Sequence, residues 1–139
     1  MHSPPPSIPA SRPEPTEGAR NLLVQSFSYE SRRVILPALA EAMTECGCWL
    51  LERKVVSVTQ LDYVFELQHR AVLELYTGLI GAGLELTRAS HLELTSLCSV
   101  LKHDPTAEAR RRIVHVKLEV SFLEDLDLKS ILVPGAGLA

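Results

Sequence analysis

The chain has 139 residues, of which 46% are apolar and 22% charged, and its formal net charge is −3. This length predicts one domain that can bury its own core. The slightly acidic charge gives no electrostatic reason for nucleic acid or an acidic membrane as a partner. Three cysteines, an odd number with no paired framework, are typical of a cytoplasmic protein.

The N-terminal segment differs in composition from the rest of the chain. Residues 1–18 contain six of the nine prolines and no apolar run, which predicts a disordered tail. This segment lacks the apolar core of a signal peptide, and no later segment approaches the ~20 apolar residues of a membrane span. We expect an ordered domain over residues 19–125 and an apolar tail over residues 126–139.

A strand, a helix and a hairpin are expected in the first half of the domain. Residues 20–29 are rich in strand formers. The next segment has one apolar stripe at helical spacing, formed by Ile35, Leu36, Leu39, Ala40 and Met43. Gly47 should end this helix, because glycine adopts the left-handed conformation without steric cost. Two strand-like runs follow, with a turn near Thr59 and Gln60, and the second run alternates with Leu61, Tyr63, Phe65 and Leu67 on one face.

The second half predicts two helices and a final strand. The first helix carries Val72, Leu75, Tyr76, Leu79 and Ile80 on one face and should stop at Gly83. Residues 84–87 are either a short strand or a loop. Ser90 and Glu93 have the spacing of a capping box at the start of the next helix. The last strand alternates most clearly, with Val114, Val116, Leu118, Val120 and Phe122 on one face.

The order of these elements predicts an α+β fold. Two βαβ crossovers around a hairpin give the ferredoxin-like split βαβ sandwich, an antiparallel sheet with helices on one face. The helix and strand that follow Gly83 are expected as additions to this unit.

The junction between the first helix and the hairpin resembles the ACT domain, a small regulatory module of amino-acid metabolism. The resemblance covers residues 21–86. More loosely, the chain also resembles stand-alone ACT proteins of the glycine-cleavage repressor type. It rests on a helix that ends in glycine and a strand that begins with a small residue, and Gly47, Cys48, Trp49 and Leu50 stand at those positions. It implies a non-enzymatic regulatory protein that binds a small metabolite, such as an amino acid, or a protein partner.

The resemblance also indicates where a ligand would bind, although the sequence departs from the family there. Amino-acid-binding ACT domains carry an Asp-Arg-Pro-Gly-like turn between the first strand and helix, and Ser31-Arg32-Arg33-Val34 occupies that place. Valine stands at the glycine position and would crowd a ligand, whereas the two arginines could attract a carboxylate. The predicted ligand-binding residues are Ser28, Ser31, Arg32, Arg33, Val34, Cys48 and Trp49.

The motif Cys46-Gly47-Cys48 raises the alternative of metal or redox chemistry. A structural zinc site usually needs two separated residues on each arm and a second pair elsewhere. The only other cysteine is Cys98, and the histidines have no ligand spacing. The motif is therefore interpreted as a packed helix-to-strand junction, and no metal site and no cofactor are expected.

An enzyme remains the alternative function at this point. His115 is predicted on the polar face of the last strand, beside Lys117 and Glu119, and could act as an acid or base on an open sheet face. The sequence contains no nucleophile motif, so no catalytic residue is assigned. A concave pocket with convergent polar groups would distinguish this enzyme from a regulatory module.

Assembly is predicted from apolar residues on the uncovered face of the sheet. Leu23, Phe27, Trp49 and Val55 would remain exposed in a monomer whose helices cover only one face. We therefore expect a homodimer joined through sheet edges or faces, with the C-terminal segment across the partner as one arrangement. The alternative is that this segment covers its own sheet.

Overall fold

The computed structural model describes residues 20–123, and within this range the chain forms a five-stranded mixed sheet and four helices. The strands are β1 (Arg20–Ser28), β2 (Trp49–Ser57), β3 (Gln60–Gln68), β4 (Glu85–Leu86) and β5 (Ile113–Phe122). The helices are α1 (Arg32–Glu45), α2 (Val72–Gly81), α3 (Arg88–His103) and α4 (Ala107–Arg111). The tails predicted over residues 1–18 and 126–139 lie outside the described residues.

The sheet has the strand order β2-β3-β5-β1-β4. The pairs β2–β3, β3–β5 and β1–β4 are antiparallel, whereas β1 and β5 are parallel along their whole length. The prediction of an entirely antiparallel sheet is therefore wrong. The α+β class is confirmed, and of the two alternatives for residues 84–87 the structure shows the short strand, β4.

The last strand lies in the middle of the sheet. β5 was expected as an addition, but it pairs with β3 on one side and with β1 on the other. Its alternating face is fully buried, because a central strand beneath a helical layer has no solvent-exposed edge. β2, by contrast, is an edge strand, and eight of its nine residues are exposed.

The core lies on one face of the sheet, as predicted. α1 contributes Ile35, Leu39 and Met43, α2 contributes Val72, Leu75 and Leu79, and α3 contributes Leu94 and Leu97. These side chains join the buried alternating faces of β3 and β5 in one cluster. Burial of this apolar area supplies the main favourable free energy of folding. No helix among residues 20–123 is both long and apolar enough to cross a membrane.

Two glycines end helices as the sequence predicts. Gly47 follows α1 with φ +72° and Gly83 follows α2 with φ +106°, both in the left-handed region. After α1, the amide of Cys48 donates to the carbonyl of Met43 at 3.3 Å, which closes a Schellman motif. The chain can therefore reverse direction within two residues and enter β2.

The start of α3 and the helix α4 differ from the prediction. Thr87, not Ser90, is the N-cap of α3, and its side chain accepts from the amide of Ser90 at 3.3 Å. The predicted Ser90 cap is wrong because the buried hydroxyl of Ser90 instead accepts from the amide of Gln25 in β1. The five-residue helix α4 was not predicted, although Thr106 caps it in the same way.

Candidate functional site

A groove lies between α1 and the edge strand β2, on the helical side of the sheet. Its volume is about 480 Å³, within the usual range for sites that bind small molecules. The lining side chains are Leu36, Pro37, Ala40, Met43, Thr44, Cys48, Leu50, Arg53 and Tyr63. Most of this lining is apolar, and of the lining residues within 20–123 only Arg53 carries a formal charge.

The groove exists because β2 extends beyond the helical layer. Leu50 and Val55 lie on the same face of the sheet as the core residues Phe65 and Leu61 that they pair with. They nevertheless remain 53% and 67% exposed. No helix packs over this edge among the described residues, so α1 and β2 form two walls with an open space between them.

A β-bulge in β2 places a charged side chain in this groove. Leu50 pairs with Phe65 and Glu52 pairs with Val64, so Leu51 is an extra residue in the strand. The bulge shifts the alternation, and the next residue, Arg53, pairs with Tyr63 on the helical side. In a regular strand, Leu50 and Arg53 would point to opposite faces.

Arg53 and Tyr63 form a polar pair at the floor of the groove. Tyr63 is only 7% exposed, and burial raises the pKa of its hydroxyl above the usual range. The nearby Arg53 guanidinium opposes this rise, both by its charge and by a hydrogen bond to Tyr63. No carboxylate among residues 20–123 forms a salt bridge with Arg53. The pair therefore presents hydrogen-bond donors and a positive charge beside apolar walls.

Of the seven predicted ligand-binding residues, only Cys48 lines the groove. A hydrogen bond between the two thiols lowers the pKa of Cys46 and, together with burial, raises the pKa of Cys48. Cys46 belongs to the buried core cluster and Cys48 packs against it. Trp49 is half-buried at the start of β2 and pairs with Glu66, which places it on the opposite side of the sheet from the groove.

The other predicted residues surround the turn between β1 and α1. The hydroxyl of buried Ser28 accepts from the amide of Glu30 at 2.9 Å and donates to its carbonyl at 3.0 Å. Ser31 is the N-cap of α1, without a hydrogen bond from its side chain to the helix. The hydroxyl of Ser28 therefore stabilises the turn itself through hydrogen bonds to the backbone of Glu30.

Arg32 contacts β5 and the turn between β2 and β3, whereas Arg33 and Val34 are exposed. The guanidinium of Arg32 lies 4.6 Å from the ring centre of Phe122 and donates to the carbonyl of Val58. The guanidinium of Arg32 is therefore already engaged by an aromatic ring and a carbonyl of the same domain. The fourteen residues of α1 separate this turn from Cys48 by about 20 Å, so the predicted residues do not form one site.

The open face of the sheet carries a polar network. His115 Nδ1 and a carboxylate oxygen of Glu66 form a hydrogen bond of 3.1 Å, and Lys117 lies 3.8 Å from Asp62 and 3.7 Å from Glu119. Asp62 and Glu66 are buried although none of the helices within residues 20–123 covers this face. Each of the two buried carboxylates therefore has a polar partner on this face, His115 for Glu66 and Lys117 for Asp62.

A second cavity of about 560 Å³ lies on this open face. Its lining includes Gln25, Phe27, Gln60, Glu119 and Ser121. His115 does not line it and stands four residues from Glu119, the nearest lining residue along β5, about 13 Å away. The histidine of the enzyme alternative is therefore separated from the cavity that would hold its substrate.

Apart from Cys48, the sequence assigned none of the groove residues to a site: the five from α1, Leu50 and Arg53 of β2, and Tyr63 of β3. Leu36, Ala40 and Met43 lie on the predicted apolar stripe, and Tyr63 on the predicted buried face, so the pattern located these side chains without showing a groove. Arg53 gave no signal, because a bulge is not visible in the alternation of hydrophobic residues.

None of the protein-family models, curated proteins or solved structures compared with this chain matches it. The resemblance to the ACT domain therefore stays a prediction. Within residues 20–123, no group of three histidine, cysteine, aspartate or glutamate side chains is arranged to hold a metal ion.

Proposed function

We propose that this chain is a non-enzymatic, cytoplasmic regulatory module of the ACT-like type that binds a small metabolite in the groove between α1 and β2. The observation that carries the proposal is the groove itself, an apolar space of about 480 Å³ with one polar pair at its floor. Ligand sites generally combine such an apolar lining with a few orienting polar groups.

The order of the strands supports an ACT-like origin. If β5 is set aside, the remaining strands stand in the order β2-β3-β1-β4, which is that of a split βαβ sheet. β1 and β2 are connected through α1, and β3 and β4 are connected through α2. In this proposal β5 has been inserted between β3 and β1, and α3 provides the additional cover.

A thermal-shift screen of the full chain against the twenty amino acids and a set of small carboxylates tests metabolite binding. A ligand at ten times its Kd adds about 1.4 kcal/mol to the free energy of unfolding. For a domain of this size we expect its Tm to rise by roughly 5 to 10 °C. If every compound leaves the Tm unchanged, metabolite binding is contradicted and a purely protein-binding role takes its place.

We also propose that the module is a homodimer joined through β2. The strand and the turn that follows it expose an unusual number of apolar side chains, namely Leu50, Leu51, Val55 and Val56 in β2 and Val58 in the turn. Such a patch is costly to leave in water. Register shifts at Leu51 and Val56 interrupt the free edge, so we propose contact through side chains and not through a continuous ladder between subunits.

Sedimentation equilibrium at micromolar concentration tests the dimer. We expect the full chain to sediment at twice its mass of 15.3 kDa. Val55→Lys should give a monomer, because a charge would be buried in the proposed contact. Leu73→Lys, at an exposed leucine of α2, should leave the dimer intact. A monomer mass for the unaltered chain would rule out the homodimer.

A further inference from the structure

We propose that the groove is selective for a small apolar monocarboxylate without an ammonium group. This inference rests on the proposed metabolite binding and adds the chemical class of the ligand. Two features of the lining carry it: the positive charge of Arg53 and the absence of any acidic side chain among the lining residues that belong to the described range 20–123.

Arg53 is suited to hold the carboxylate. Its guanidinium has five N–H donors in a planar fork that matches the two oxygens of a carboxylate. One contact goes to Tyr63, and no described carboxylate pairs with the guanidinium. Tyr63 is itself packed in the core, so it fixes the side of the groove at which the charged end of a ligand would lie.

The remaining walls fit an alkyl chain. Leu36, Pro37, Ala40, Met43 and Leu50 offer aliphatic and thioether surfaces, and the flexible Met43 can adapt to chains of different shape. Each methylene removed from water strengthens binding about fourfold. Affinity should therefore rise with chain length until the groove is filled.

The same lining disfavours an amino acid. Apart from Arg53 and Tyr63, the polar side chain in the groove is Thr44, and its hydroxyl donates to the carbonyl of Ala40 at 2.9 Å. None of the described lining residues has a carboxylate to accept a hydrogen bond from the ammonium of an amino acid. The ammonium would also lie near the Arg53 cation, which lowers its affinity through like-charge repulsion.

Isothermal titration calorimetry of the full chain with four probes of equal chain length tests this selectivity. The probes are octanoate, octan-1-ol, octylamine and 2-aminooctanoate, which share the alkyl body and differ in charge. We expect octanoate to bind at least tenfold more tightly than octan-1-ol, as a hydrogen bond between charged groups allows. Octylamine and 2-aminooctanoate should both bind more weakly than octanoate.

Arg53→Gln provides the matched variant, since Arg53 is exposed and its replacement should leave the fold intact. We expect the variant to bind octanoate at least tenfold more weakly than the unaltered chain does and to lose the preference for octanoate over octan-1-ol. A preference that survives in Arg53→Gln, or its absence in the unaltered chain, would overturn the carboxylate assignment.

The outcomes separate this inference from the proposed function. If 2-aminooctanoate or octylamine binds more tightly than octanoate, the groove binds a metabolite and only the ligand class is wrong. If none of the four probes binds, the carboxylate assignment is overturned, and the separate thermal-shift screen decides whether the module binds a metabolite at all.

Discussion

Phe65→Ala should lower the free energy of unfolding by about 3 to 5 kcal/mol, the usual cost of removing a buried phenylalanine ring. Phe65 is fully buried in β3, between Leu50 of β2 and Val116 of β5. The loss has two parts. The favourable free energy of moving the ring out of water disappears, and the cavity left behind adds a further cost. It is a large part of the 5 to 15 kcal/mol that stabilises a typical domain.

Phe27→Ala is the matched control, because Phe27 lies half-buried on the open face of the sheet and contacts the ring of Tyr29 at 5.9 Å. Its replacement should cost less than half as much. Urea unfolding of both variants, followed by circular dichroism, gives the two free energies. Equal losses would show that the core is not confined to the helical side of the sheet.

The secondary structure could be predicted largely because local signals and burial agree. The alternation in β3 and β5 and the helical stripe of α1 each place apolar residues on the face that the structure buries. Gly47 and Gly83 lie at positive φ, where glycine is favoured. In these segments the local pattern and the global fold require the same conformation.

The topology could not be predicted in the same way. Periodicity indicates which face of a strand is buried, but it does not say which strands are neighbours. The parallel pairing of β1 and β5 is a contact between residues more than ninety positions apart. The prediction of Ser90 as the N-cap of α3 is wrong for a related reason, since the Ser90 hydroxyl accepts a hydrogen bond from Gln25 of the distant strand β1.

The candidate site was less predictable than the fold. The resemblance directed attention to the turn between β1 and α1, where Arg32 is already engaged with Phe122 and Val58. The groove depends instead on one inserted residue, Leu51, which turns Arg53 towards α1. A single bulge of this kind leaves no trace in hydrophobic periodicity.

Ala40→Trp should abolish ligand binding without unfolding the protein. Ala40 is an exposed residue of α1 that lines the groove, so an indole at this position would occupy the space of the alkyl chain. Loss of contact with three methylenes weakens binding roughly fifty-fold. The expected cost to the helix is only about 0.5 kcal/mol, from the lower helix propensity of tryptophan.

Glu41→Trp is the control, because Glu41 is the next residue of α1 and lies on the side that faces α2. It introduces the same side chain at an exposed position outside the groove. Its affinity for ligand should equal that of the unaltered chain, and both variants should keep a cooperative thermal transition within a few degrees of it.

Calorimetric titration of the unaltered chain, Ala40→Trp and Glu41→Trp tests the proposed site most directly. The titrants are octanoate and the compound that gives the largest thermal shift. We predict that the unaltered chain and Glu41→Trp bind with equal affinity and that Ala40→Trp shows a loss of roughly fifty-fold or more. Unchanged binding in Ala40→Trp would show that the ligand binds elsewhere, and would contradict the assignment of the groove between α1 and β2 as the functional site.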